Sequence, residues 1–180
     1  MAIYTKRGDK GETSMFDEDS VQRGRIPKDS LRVEALGAID ELNSFLGIIR
    51  SETQDKSLSL SIKEIQENLL TIGSITAGSK LKFFFAQTKK LERLIDGLEG
   101  ELPVLRNFVV PGGSIVAAQL QYARALTRRV ERRVVALAKL EKVRSQILIY
   151  LNRLSDYLFM LAREVNHKNG VGDEPWKGKK

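Results

Sequence analysis

The chain has 180 residues, 42% of them hydrophobic, and a net charge of +7 from 30 Lys and Arg against 23 Asp and Glu, which suits one globular domain with a real core. It has no cysteine and one histidine, His167, which excludes disulfide frameworks, thiolate metal sites, cysteine nucleophiles and a zinc centre built on histidines. No apolar run approaches a membrane span and the start, MAIYTKRGDKG, lacks an apolar signal core, so a soluble cytoplasmic protein is expected.

Residues 1–27 read as non-helical, with Gly8, Gly11, Gly24, Pro27 and the polar stretch DEDS. The first helix is predicted to begin near 28–30, capped by Asp29 or Ser30. Val33, Leu36, Leu42, Phe45, Leu46 and Ile49 then recur at close to a helical period. A second helix is predicted over 58–77, with Ile62, Ile65, Leu69, Ile72 and Ile75 as its buried stripe. The stretch 80–88, with Phe83, Phe84 and Phe85, has no clear period. A third helix is expected over 87–98, closed by Gly100 and Pro103. Pro111-Gly112-Gly113 is the strongest turn signal. A long fourth helix is predicted over 114–140, and a fifth over 143–166. Residues 169–180 read as a disordered tail. The sum is an all-α five-helix bundle over 28–168 behind an irregular N-terminal segment, one domain overall.

Charge concentrates on the fourth helix. From Gln121 to Arg144, Arg124, Arg128, Arg129, Arg132, Arg133, Lys139, Lys142 and Arg144 face only Glu131 and Glu141. Arg124, Arg128, Glu131 and Arg132 share one side of that helix. A carboxylate among guanidiniums would hold their forks in place, and such an array suits a triphosphate. An exposed helix held by ion pairs explains the same pattern. The loop Thr5-Lys6-Arg7-Gly8-Asp9-Lys10-Gly11-Glu12-Thr13-Ser14 can fold into a nest of N–H groups for phosphate, or be an ordinary turn; it lacks the Walker A spacing. Asp40, four residues after Leu36, is expected near the apolar stripe, where it either needs a cation, which an arginine of the fourth helix could supply, or is merely a boundary residue. Asn152, Ser155 and Asp156 in one turn of the fifth helix suggest recognition or a buried polar network. Phe108, ahead of the rigid turn, is either a wedge against a ligand or a core plug.

In order along the chain, IYTKRGDKGET, RVEALGAIDELNSFLG, FVVPGG, ARALTRRVERRV and YLNRLSDYLFMLAR resemble the signature blocks of the ATP:cob(I)alamin adenosyltransferases of the propanediol-utilisation (PduO) type, from Ile3 to about Asn166. The resemblance implies a ferritin-like up-down helical bundle that assembles as a homotrimer with active sites between subunits. It implies transfer of the 5′-deoxyadenosyl group of ATP, accompanied by Mg2+, to the cobalt of cob(I)alamin, giving adenosylcobalamin and triphosphate. The reduced cobalt would be the nucleophile, consistent with a chain that has no cysteine. By match to the family's blocks, Thr5, Lys6, Arg7, Gly8, Thr13 and Ser14 would hold the triphosphate, with Lys28 reaching the phosphates. Arg128, Arg129, Glu131, Arg132 and Asn152 would contact the nucleotide. Asp40 and Arg124 would bridge between subunits and, with Arg128, shape the reacting centre. Phe108 would fill the lower face of the corrin and, with Asp40 and Arg124, mark the cobalamin side. The metal ligands are not identified. Gln121 stands where the family often has histidine, and Val110 where leucine is usual.

A cobalamin reductase and an adenosylcobalamin-dependent enzyme follow as expected partners, with neither nucleic acid nor membrane among them. Two other readings remain at this point. One is a non-catalytic cobalamin carrier or regulator on the same fold. The other is a basic helical module that binds nucleic acid, against which the basic strip has no interleaved aromatics.

Overall fold

The computed structural model describes residues 4, 6–15 and 24–178. Five helices account for most of the chain: α1 (Leu31–Glu52), α2 (Lys56–Thr76), α3 (Phe85–Glu101), α4 (Ile115–Ala138) and α5 (Ser145–Lys168). The expected all-α five-helix bundle is therefore the one observed. None of the described helices is long and apolar enough to cross a membrane.

The caps explain where the helices start. Ser30 accepts from the Val33 amide at α1, and Ser114 from the Ala117 amide at α4. Asp55 accepts from the Ser57 and Leu58 amides at α2, and its carboxyl is held below its ordinary pKa, first by the Leu58 amide and next by Lys168. The apolar stripes then set the packing. α4 lies against α1 and α5, α2 against α1, and α3 against α5. α5 is the central element: Ile147, Tyr150, Leu151, Leu154, Leu158 and Leu161 are all buried. Tyr150 stacks edge-on against Phe83 with ring centroids 5.0 Å apart, and its hydroxyl accepts from Asn68 Nδ2 at 3.1 Å. Burial is the main force pushing the Tyr150 and Tyr157 hydroxyls above their ordinary pKa.

The structure departs from the expectations in three places. The N-terminal segment is not wholly irregular: β1 (Glu12–Ser14) and β2 (Arg25–Pro27) pair antiparallel, with Thr13 opposite Ile26. The third helix begins at Phe85, two residues before its predicted start, because the three phenylalanines divide their roles. Phe83 enters the core, Phe84 is the exposed cap residue and Phe85 opens the helix. Residues 169–178 are not a disordered tail. Beyond α5 the chain folds back along residues 108–110, with an antiparallel bridge between Val109 and Pro175. The Val110 amide donates to the Glu174 carbonyl at 2.8 Å, and the Trp176 amide to the Phe108 carbonyl at 2.7 Å.

Candidate functional site

Three groups of residues present chemistry at the surface. The first is the loop ahead of β1. Lys6 adopts φ +58° and Gly11 φ +78°, so the backbone reverses twice over a short stretch. The Asp9 amide donates to the Lys6 carbonyl, the Gly11 amide to the Gly8 carbonyl, and the Lys28 amide to the Gly11 carbonyl. The Arg25 guanidinium fastens the loop to the hairpin, donating to the Arg7 carbonyl at 2.6 Å and to Glu12 Oε2 at 2.8 Å. A Cβ placed on Gly8 would lie 3.2 Å from Lys28 Nζ. Glycine there lets the Lys28 ammonium lie against the loop that carries Lys6 and Arg7. Thr13 is half-buried within β1, and Ser14 is exposed opposite Arg25. Thr5 lies outside the described residues.

The second group is the arginine face of α4, where neighbouring residues have different partners. Arg129 pairs with Glu41 of α1, and Arg133 with Glu34 at 3.1 Å, so these two fasten α4 to α1. Arg128 and Arg132 are exposed and form no ion pair among the described residues. Arg124 is half-buried and donates to Gln121 Oε1 at 2.9 Å. Burial lowers the pKa of its guanidinium, and the charge of Arg128 lowers it further. Glu131 does not hold the guanidiniums: it accepts from Asn152 Nδ2 on α5 at 3.1 Å. The expected carboxylate among forks is thus replaced by an α4–α5 link, which leaves the cations open. The Arg129–Glu41 and Arg133–Glu34 pairs are solvent-exposed and are each worth about 0–1 kcal/mol.

Asp40 is exposed rather than beside the stripe. Ala35, Ala38, Ile39 and Leu42 form the buried face of α1, and Asp40 falls outside it. No bond joins Asp40 to Arg124 or to any other arginine of α4 within the chain. Nor does a hydrogen bond or ion pair join the described loop residues to the α4 strip. One chain therefore presents two cationic surfaces that do not meet within it.

The third group surrounds Phe108, which is 80% exposed and not a core plug. Its ring lies edge-on to Trp176 with centroids 6.5 Å apart. The two rings edge an open hollow of about 530 Å³ with Leu105, Arg106, Asn107 and Lys177. A larger cavity of about 650 Å³, rimmed by the Arg32–Glu141 pair, takes in none of the expected site residues. Among the described residues no group of three His, Asp or Glu side chains is placed to hold a metal ion.

The family model described as cobalamin adenosyltransferase matches residues 3–165. The chain belongs to the cobalamin adenosyltransferase family. A corrinoid adenosyltransferase of Bacillus subtilis (strain 168) is 44% identical over 181 residues, spanning 96% of this chain and 91% of that protein. The corrinoid adenosyltransferase MMAB of Homo sapiens is 37% identical over 180 residues, spanning 93% of this chain and 70% of that protein. A variant of the PduO-type ATP:corrinoid adenosyltransferase of Lactobacillus reuteri, complexed with cobalamin and ATP, superposes with a TM-score of 0.92 at 35% identity, covering 98% of this chain and 100% of that one.

Within this member of the cobalamin adenosyltransferase family, sequence reading missed Trp176, Arg163 and Asn166. Trp176 is the chain's only tryptophan, set in a polar stretch, which was the one available signal. Asn166 Oδ1 accepts from the Ser114 amide and its Nδ2 donates to the Gly112 carbonyl, both at 3.0 Å. It locks the turn behind Phe108, where Gly113 adopts φ +102°.

Proposed function

We propose that this chain transfers the 5′-deoxyadenosyl group of ATP to the cobalt of cob(I)alamin, giving adenosylcobalamin and inorganic triphosphate. The observation that carries the reading is the division of labour on α4. Arg129 and Arg133 are neutralised by α1, while Arg128 and Arg132 are left open for an anion outside the chain. The cobalt electron pair becomes the cobalt–carbon bond, and the C5′–O5′ pair departs on the triphosphate. No proton changes hands, so neither a general acid nor a protein nucleophile is required. The leaving group gathers negative charge on O5′, which preorganised guanidiniums and the Lys28 ammonium stabilise. The loop of Lys6, Arg7 and Gly8 cradles the phosphates, with Thr5, Thr13 and Ser14 assigned to the same task by family match alone. Arg129, Glu131 and Asn152 flank the nucleotide.

Phe108, with Trp176 beside it, offers an apolar edge to the lower face of the corrin, which keeps a base away from the cobalt and makes its reduction easier. Magnesium enters as the counter-ion of the ATP substrate. We assign the joining of the loop to the arginine strip, and of Asp40 to Arg124, to contacts between copies in a homotrimer. Neither pair meets inside one chain, which supports the assignment. A cytoplasmic setting, a reductase that supplies cob(I)alamin and an enzyme that consumes adenosylcobalamin belong to the same proposal.

The test is an anaerobic assay with chemically reduced cob(I)alamin, Mg-ATP and purified protein, following cob(I)alamin absorbance and identifying the phosphate product. Adenosylcobalamin with intact triphosphate is expected. Arg128→Ala is expected to lower kcat by about 10²- to 10³-fold. Tight corrinoid binding without turnover would replace this reading with the carrier. Absence of both, with salt-sensitive binding to duplex nucleic acid, would favour the basic module.

A further inference from the structure

The Phe108 segment is held from behind by a buried arginine outside the reaction just described. Arg163 on α5 is 5% exposed. Its Nε donates to Asp173 Oδ2 at 2.8 Å, and its Nη2 to the Pro103 carbonyl at 2.6 Å. These two partners mark the two stretches that meet at Phe108. Pro103 opens the connection from α3 to α4, and Asp173 precedes the residues that pair with 108–110. From Asp173 the ladder runs through the Glu174 carbonyl, the Val109–Pro175 bridge and the Trp176 amide, and ends with Trp176 against Phe108. A guanidinium this deeply buried needs its carboxylate. The planar fork also fixes two directions at once in a rigid geometry, which a rotatable ammonium does not impose.

We propose that Arg163 and Asp173 form a clasp whose role is to position Phe108 and Trp176 for the corrinoid. Both are positioning residues that act through the paired backbone, and the role rests on the reading that Phe108 faces the corrin. Loss of Asp173 strands the arginine and frees residues 173–176, so the aromatic edge loses its fixed geometry. The ATP surfaces on α4 and ahead of β1 share no contact with the clasp and are untouched.

Trp176, the only tryptophan, reports the clasp directly. In Asp173→Asn its fluorescence anisotropy is expected to fall and its quenching by acrylamide to rise. The KM for cob(I)alamin is expected to rise about ten-fold, as one lost charge-assisted hydrogen bond would give, with the KM for ATP unchanged. Asp173→Glu, which restores the carboxylate, is expected to recover most of both. Arg163→Met, which removes the buried charge without leaving it unpaired, is expected to reproduce the Asp173→Asn pattern in a folded protein. Unchanged anisotropy in Asp173→Asn would overturn the clasp. Freed tryptophan with an unchanged corrinoid KM, or a parallel loss for both substrates, would overturn the positioning role. Phe108→Ala separates the two premises: an unaltered corrinoid KM there would remove the corrin reading, while the anisotropy of Asp173→Asn still decides whether the clasp exists.

Discussion

Gly113→Ala tests whether the turn behind Phe108 is as tightly specified as its geometry indicates. At φ +102° an L side chain is strained, at about 1–2 kcal/mol. The added Cβ would also lie 2.2 Å from Asn166 Oδ1 and 2.3 Å from its Nδ2, so the amide must leave. Asn166 then loses its bonds to the Ser114 amide and the Gly112 carbonyl, each worth about 1 kcal/mol, in a site only 8% exposed. The expected loss is about 3–4 kcal/mol. It should be measured by urea unfolding at one fixed protein concentration, with and without Asn166→Ala. In the Asn166→Ala background the obstacle is gone, so Gly113→Ala should cost only the backbone strain. The two substitutions then couple by about 2 kcal/mol. A loss below about 1 kcal/mol for the single substitution, or strict additivity in the pair, would refute the reasoning.

Two further outcomes concern pH. Tyr150 has a raised native pKa, so its contribution is complete below the unfolded value near 10 and is lost as pH rises above it. By pH 11 it should have cost the fold about 1.4 kcal/mol, an effect that Tyr150→Phe removes; tyrosinate absorbance from all four tyrosines near pH 10 in the folded protein would contradict this. Asp55 has a lowered native pKa, so its capping contribution is present above about pH 4 and fades as pH falls through the native value. Asp55→Ala should cost about 1 kcal/mol in thermal or urea unfolding at pH 7, and the difference from the parent should close in acid.

The helices were legible because their signals are local. Ser30, one of the two expected caps, caps α1, the fourth helix starts directly after Ser114, and the stripe from Ile62 to Ile72 is buried as its period predicts. The hairpin was not legible, since three-residue strands are too short to show alternation and their partners lie far apart in sequence. Residues 169–178 have the composition of a solvated tail, and what docks them is a single buried guanidinium together with backbone pairing. Spacing from Leu36 puts Asp40 near the stripe, but Leu36 is itself only half-buried and Ala35 and Ile39 are the more buried positions, so Asp40 falls on the exposed side. The arginine strip could be read as a cluster, but its division into paired and open members depends on Glu34 and Glu41 of another helix.

α3 joins the bundle more lightly than any other helix. Thr88 and Leu91 are its buried residues, and its packing rests on α5. It has the fewest buried side chains of the five helices, so it is the first to detach in a local fluctuation, and its amides should exchange with solvent before those of α4 or α5. The connection bearing Phe108 continues from its end, but Arg163 of α5 holds that connection at the Pro103 carbonyl, so a detachment of α3 stops there. α4, by contrast, is gripped by α1 on one side and α5 on the other. The molecule therefore keeps its compliance away from its working surface: the cationic face is mounted on α4, the aromatic edge is tied to α5 through Arg163 and Asn166, and α3 can loosen without carrying either.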